Sequence, residues 1–215
     1  MKVSVNWLKE FVDINLSNKE LVERIGSQLG EVEETIDLAK KYEGIVIARV
    51  VECRRHPNAD KLSLCKIDNG KGSVQVVCGA PNVREGQLVA WIPPGKIVPA
   101  TFDKDPFILE AREIRGELSN GMLASRHELD INDDHSGIVT LDRGKPGDDF
   151  AKTYGLDDFI IDIENKMFTH RPDCFGLLGV AREVAGIQGD RFKSPDWYLE
   201  QAASNKQQAI ACSKE

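Results

Sequence analysis

GIVIARVVECRRHPNADKLSLCKIDNGKGSVQVVCG, residues 44–79, decides how this chain folds. Gly44 to Cys53 is rich in Val and Ile, Leu62 to Ile67 alternates apolar and polar residues, and NGKG at 69–72 is a hairpin signal leading into SVQVVCG. HPNADKL, residues 56–62, stops the first run with the composition of a turn. Further on, Gln87 to Ile92 reads as a fourth strand stopped by PPG at 93–95, and Phe107 to Ile114 as a fifth closed by Arg115 and Gly116. Five short strands in about seventy residues, joined by Gly and Pro turns with no long helix among them, predict a small closed barrel. Such a barrel removes its own edges.

On either side the period changes. VSVNWLKEFV, residues 3–12, reads as a short strand running into a helical turn. Ser17 and Glu20 form an S-x-x-E capping box, with Leu21, Val22, Ile25 and Leu29 at helical spacing behind it and Gly30 as the stop. EVEETIDL (31–38) is a strand or linker. After Ser119, LDINDDHSG (129–137) is a polar loop, IVTLD (138–142) a short strand, PGDDFAKTYGL (146–156) a linker with a helical turn, and DDFIIDIEN (157–165) a strand. Gly176 to Ile187 is a helix in which Ala181 and Ala185 allow close packing. The first forty residues are too short to hold a core alone, so they are expected to pack against the segment beyond 150. The expected organisation is α+β, mostly β: residues 1–39 and 151–190 form a discontinuous α+β domain, the barrel occupies 40–150 between them, and 191–215 is a tail.

Composition narrows the function classes. Hydrophobic residues make up 41% and no apolar run reaches the eighteen of a membrane span, so no membrane partner is expected. The opening MKVSVNWLKE lacks the apolar core of a secretion signal, which makes a cytoplasmic protein the expectation. Cys53, Cys65, Cys78, Cys174 and Cys212 contain no C-x-x-C pair, and His56, His127, His135 and His170 contain no H-E-x-x-H, so free thiols and no metal site are expected. The net charge of −7 hides an asymmetry: residues 40–72 hold eight Lys and Arg against four Asp and Glu, whereas 130–173 hold five against eleven. A polyanion is drawn to the first stretch and repelled by the second.

Three groups of residues are candidates for a site. Arg49, Arg54, Arg55, Lys61, Lys66 and Lys71 lie on or between the first three expected strands and suit phosphate contacts, with His56, Pro57, Asn58 and Asp60 shaping the loop between them. Arg112, Arg115, Ser119, Asn120, Ser125 and Arg126 form a second patch in which Gly116 and Gly121 permit tight turns and the small polar residues offer groups to a phosphate or 2′-hydroxyl. Aromatic platforms are scarce, so recognition of a folded RNA by its outline fits better than base stacking. Arg171, Asp173 and Arg182 form the third group, an expected interdomain or subunit ion pair. No nucleophile–base constellation and no G-x-x-x-x-G-K loop is present, so no catalytic residue and no bound cofactor is expected in the chain itself.

Longer blocks carry a family resemblance. GIVIARVVECRRHPNADKLSLCKID, VVCGAPNVREGQLVAWIPPGKIVP and EAREIRGELSNGMLASRHELDI resemble the tRNA-binding domain of the bacterial phenylalanyl-tRNA synthetase beta subunit, a module that also occurs appended or free-standing. VSVNWLKEFV before it and ENKMFTHRPDCFGLLGVAREVAGI after it resemble the parts of that subunit surrounding the insert. The resemblance implies that the inserted domain is a five-stranded OB-fold barrel and that the chain is a fragment of a longer subunit. It further implies an alpha-2 beta-2 heterotetramer with an alpha subunit, which joins phenylalanine to tRNA(Phe) using ATP and Mg2+. The alternative is a structural or assembly module of that heterotetramer with little RNA affinity of its own.

Overall fold

The computed structural model describes residues 1–195. The chain opens with strand β1 (Lys2–Ser4) and a one-turn helix α1 (Val5–Leu8), the latter capped by the Ser4 side chain accepting from the Trp7 N–H. Helix α2 (Asn18–Gln28) carries the full capping box: Ser17 Oγ accepts from the Glu20 N–H at 3.3 Å, and Glu20 Oε2 accepts from the Ser17 N–H at 3.0 Å. Strand β2 (Val32–Asp37) and helix α3 (Leu38–Lys41) follow. Next come β3 (Val46–His56), β4 (Ala59–Asp68), β5 (Ser73–Cys78), β6 (Leu88–Ile92), β7 (Arg112–Ile114), β8 (Glu117–Ser119), β9 (Met122–Leu123) and helix α4 (Phe150–Tyr154). The chain then adds β10 (Phe159–Ile163) and helix α5 (Leu177–Gln188).

These elements form two compact units. Among the described residues, 1–36 and 159–195 make the first, and residues 37–158 the second. In the first, β10 lies between β1 and β2, with Val3 opposite Ile161, and the sheet packs its apolar side against α2 and α5. Leu8, Leu21, Ile25, Ile161, Ile163, Val180, Ala181 and Val184 are fully buried in that core. Helix α5 ends at Gly189, whose φ of 71° is the left-handed value a C-terminal glycine supplies. Among the described residues, no helix is long and apolar enough to cross a membrane.

The second unit departs from the expected barrel. Its main sheet is antiparallel with the order β5-β4-β3-β6-β9, and no sheet of the structure closes on itself. The five-stranded OB-fold barrel is therefore replaced by an open five-stranded sheet in a mixed α+β chain. Two local features account for the difference. The run 107–114 supplies only a three-residue strand, β7, which pairs with β8 in a separate hairpin and not with the main sheet. The residues that would have to extend β8 along β5 break at Gly121, whose φ is 90° and whose missing Cβ would lie 2.2 Å from the Ile92 carbonyl oxygen. Beyond that break the chain pairs with β6 as β9.

Burial follows the same departure. The β3–β6 part of the sheet is covered on both faces: Ile47, Ala90 and Ile92 enter one core with Tyr42, Leu129 and Phe150, while Ala48, Val50, Val89 and Trp91 enter another with Ile67, Val76 and Ile138. Strict alternation, the signature of a sheet buried on one face, is consequently lost there. The expected strand 138–142 is reduced to isolated bridges, Ile138 with Ser125 and Thr140 with Val89.

Candidate nucleic-acid interface

HPNADKL turns one hairpin and grips another. Strands β3 and β4 pair from Arg49–Asp68 to Arg55–Ser63, after which the next pair is His56–Ala59, so Asp60, Lys61 and Leu62 have no opposing residue. This bulge lifts Lys61 out of the ladder, as extra residues in one strand do. His56 is 4% exposed. Its Nδ1 accepts from the Asn58 N–H at 3.1 Å, which places the ring proton on Nε2, and Nε2 donates to the Ile114 carbonyl at 3.1 Å. Asn58 Nδ2 donates to the Arg115 carbonyl at 3.0 Å.

Arg115 and Gly116 are the two turn residues between β7 and β8, with φ of 52° and 91°. Positive φ at both central positions marks the turn type that matches the twist of paired strands, and an arginine there is held by the Asn58 contact. The tips of the two hairpins are thereby clasped, with Arg54, Arg55 and Lys61 carried on the first hairpin and Arg112 and Arg115 on the second. All five are exposed and form no ion pair with any described residue. Asp60, expected to fix the loop, is exposed and its carboxylate makes no hydrogen bond or ion pair with a described residue. The bulge and the clasp take that role.

The remaining candidates are paired or lie elsewhere along the strands, although Lys66 shares a small pocket with Arg54. Lys66 pairs with Glu52 at 3.3 Å, and Arg49 donates weakly to the Gly86 carbonyl at 3.5 Å. Lys71 lies in the β4–β5 turn, roughly 25 Å along the strand from the bulge at about 3.4 Å per residue. That is several Debye lengths at physiological salt, so its charge does not add to the clasp. Lys40 and Lys41, part of the locally basic stretch, are neutralised: Lys40 by Asp37 at 3.1 Å, and buried Lys41 by Asp103 at 2.9 Å and Asp130 at 2.5 Å. Burial works against the Lys41 ammonium, but the hydrogen bonds it donates to Asp130 and Asp103 outweigh it and raise its pKa.

Small polar residues of the second patch turn inward. Ser119 is buried, donating to the Gly121 carbonyl and accepting from the Val77 N–H, each at 3.0 Å. Asn120 gives its N–H to the Gln75 carbonyl at 2.9 Å and its own carbonyl to Trp91 Nε1 at 2.9 Å. Ser125 is buried against Glu128 in a capping arrangement. Ser119 and Asn120 satisfy the open edge of β5 and the break after β8, which the sequence pattern did not reveal. Arg126 is exposed on the following loop and helps lower the Asp134 carboxyl, whose main stabilisation is the hydrogen bonding from Ser136.

Beside the clasp lies a groove of about 780 Å³, walled by Val77, Leu109, Met122 and Ile138 with Arg112 and His135 at its polar margin. Phe107 and Ile108 line it while remaining 53% and 55% exposed.

Arg171, Asp173 and Arg182 form an ion cluster within the first unit. Arg171 Nη2 contacts Asp173 at 2.9 Å and Glu183 at 2.6 Å, and Arg182 also pairs with Asp173. Arg171 thus ties the turn before α5 to the helix itself, and the expected interdomain role gives way to a role inside one unit. Among the described residues, one trio of metal-ligating types, Asp173, Cys174 and Glu183, has its donor atoms within 4.8 Å of one another. Both carboxylates already neutralise arginines there, and those guanidinium groups oppose a cation. Cys53, Cys65, Cys78 and Cys174 are free thiols, while Cys212 lies outside the described residues.

The clasped hairpins fall inside a recognised module. Residues 45–149 match the family described as "Putative tRNA binding domain". Relatives extend the match over nearly the whole chain. It is 38% identical over 208 residues to the phenylalanine–tRNA ligase beta subunit of Syntrophus aciditrophicus, covering 96% of this chain and 25% of that protein. The corresponding subunit of Salinibacter ruber is 41% identical over 207 residues, covering 91% and 25%, and that of Burkholderia pseudomallei 40% over 199 residues, covering 91% and 24%. The chain is homologous to these beta subunits over nearly its whole length and spans about a quarter of the length of the curated relatives it matches.

Proposed function

We propose that the second unit is an RNA-binding module that takes a folded tRNA by its phosphate outline, as part of a phenylalanine–tRNA ligase beta subunit in the cytoplasm. The observation that carries this reading is the clasp: five exposed arginine and lysine side chains, free of ion pairs among the described residues, are carried on two hairpins that His56 and Asn58 join within the matched domain. Arg54, Arg55 and Lys61 meet phosphates from the β3–β4 side, and Arg112 and Arg115 from the β7–β8 side. Arg126, Arg49, Lys66 and Lys71 make secondary contacts, and Ser119, Asn120 and Ser125 serve as the frame. Phosphate contacts position RNA without reading its sequence, so selectivity for tRNA(Phe) comes mainly from the whole enzyme. That enzyme joins phenylalanine to tRNA(Phe) with ATP and Mg2+ as an alpha-2 beta-2 heterotetramer, and this chain carries none of the bond-making groups.

Titration of the chain with tRNA(Phe) and a non-cognate tRNA at two salt concentrations tests the reading. Binding that weakens with salt and with Arg54→Ala, Arg55→Ala and Lys61→Ala together supports it. Absence of binding at low salt by the folded chain overturns it. A second reading, an assembly module docking other parts of the heterotetramer, is favoured by the groove bordered by exposed Phe107 and Ile108.

A further inference from the structure

Cys53 and Cys65 face each other directly across the β3–β4 ladder, with sulfur atoms 3.9 Å apart. The Cys53 N–H donates to Glu85 Oε1 at 3.2 Å and so points away from β4. The pair therefore occupies a non-hydrogen-bonded position of the ladder, where Cα atoms approach to about 4.5 Å and the side chains turn toward each other. That spacing lies within the roughly 4.4–6.8 Å that a disulfide bridges. Cys78, the third thiol on this face, stands opposite Ser63, two residues along β4 from Cys65, and its sulfur accepts the Ala80 N–H at 3.4 Å.

We propose that Cys53 and Cys65 form a dithiol site that a hydroperoxide closes to a disulfide. Cys53 is half-buried and Cys65 is 1% exposed, so the oxidant meets Cys53 first. The Cys65 thiol, pushed up by burial and by its thiol neighbours Cys53 and Cys78, stays protonated until its partner has reacted. In the first step the Cys53 thiolate sulfur attacks the terminal peroxide oxygen. An S–O bond forms, the O–O bond breaks, and the alcohol leaves with the thiol proton. In the second step the Cys65 sulfur attacks the sulfenic sulfur of Cys53. The S–S bond forms, the S–O bond breaks, and water leaves carrying the Cys65 proton. Both sulfurs are oxidised by one electron each, and the peroxide takes up the pair. The link pins the two strands one residue from Arg54 without consuming any cation of the clasp.

The test uses the 215-residue chain, reduced and then exposed to hydrogen peroxide. The expected result is an intact-mass loss of two hydrogens, a Cys53–Cys65 link in the peptide map, and recovery of the starting mass with dithiothreitol. Cys78→Ser retains the link. Cys65→Ser loses it and instead leaves Cys53 trapped by a sulfenic-acid reagent. A dominant link from Cys53 to any other cysteine, or over-oxidation of Cys53 without a link in a chain with unchanged circular dichroism, overturns the proposal.

Discussion

The two clasped hairpins of the second unit look alike as sequence, each a short turn with arginine close by, yet they spend their polar groups in opposite ways. Around the β3–β4 turn Arg54 and Arg55 are exposed at the end of the regular ladder and Lys61 in the bulge beyond it, while His56 and Asn58 do the holding. Past the β7–β8 turn, Ser119 and Asn120 are consumed by the backbone of β5 and by Trp91. A buried serine between two backbone groups is worth more to the fold than to a ligand, because leaving either group unmet costs about 1–3 kcal/mol. Exposed cations give up little by meeting a phosphate. The difference teaches that exposed, unpaired charge beside a ladder defect, not polarity in a turn, is what the proposed RNA surface rests on.

The comparison is broken most severely at its hinge. Gly121→Ala puts a Cβ against the Ile92 carbonyl at a positive φ and should cost about 3 kcal/mol or more, read as a lowered denaturation midpoint. Removing Arg54, Arg55 and Lys61 together should weaken tRNA binding about 10–100-fold at low salt and reduce the salt slope by about 1 for each phosphate no longer met, with the melting temperature little changed. An unchanged slope would place the RNA elsewhere. His56→Ala should lower stability by about 2 kcal/mol, since it unmeets the Ile114 carbonyl and the Asn58 N–H, and weaken binding as well because the hairpins part. Ser119→Ala should cost about 1 kcal/mol in denaturant titration while leaving RNA affinity unchanged; a loss of affinity at full stability would show that Ser119 faces the ligand after all.

The smallest effect lies outside both hairpins. Asp173, hydrogen-bonded first of all by Arg171, has its carboxyl held well below the usual carboxylate range. A lowered folded-state pKa means that its contribution is present above the unfolded pKa and disappears as pH falls through the folded one. Asp173→Asn should therefore slightly lower the melting temperature at neutral pH and make no difference in strongly acid solution.

Much of the architecture was legible because its signals were local. Ser17 and Glu20 announce the start of α2, NGKG announces the β4–β5 hairpin, and the Gly176–Ile187 spacing announces α5. Closure of the sheet was not local. It depends on whether 107–123 runs as one strand, and the left-handed turns at Arg115, Gly116 and Gly121 divide that run into pieces paired with different neighbours. For the site, the cationic residues of HPNADKL and its flanks could be named, but the joining of the two hairpins could not. The contacts from His56 to Ile114 and from Asn58 to Arg115 cross 58 and 57 residues and leave no periodic trace. The neutralisation of Lys41 by Asp103 and Asp130 was equally invisible in a count of charges.

Among the described residues, strand β1 finds its only ladder partner in β10, about 160 residues further along the chain. During synthesis it waits unpaired until β10 has emerged, which at ordinary translation speeds is about ten seconds or more. The second unit, contiguous from 37 to 158, is complete before then. Synthesis thus imposes an order in which the module between the two halves matures first and its surrounding unit is assembled last. A leading strand of three residues, with little to misplace, suits that delay.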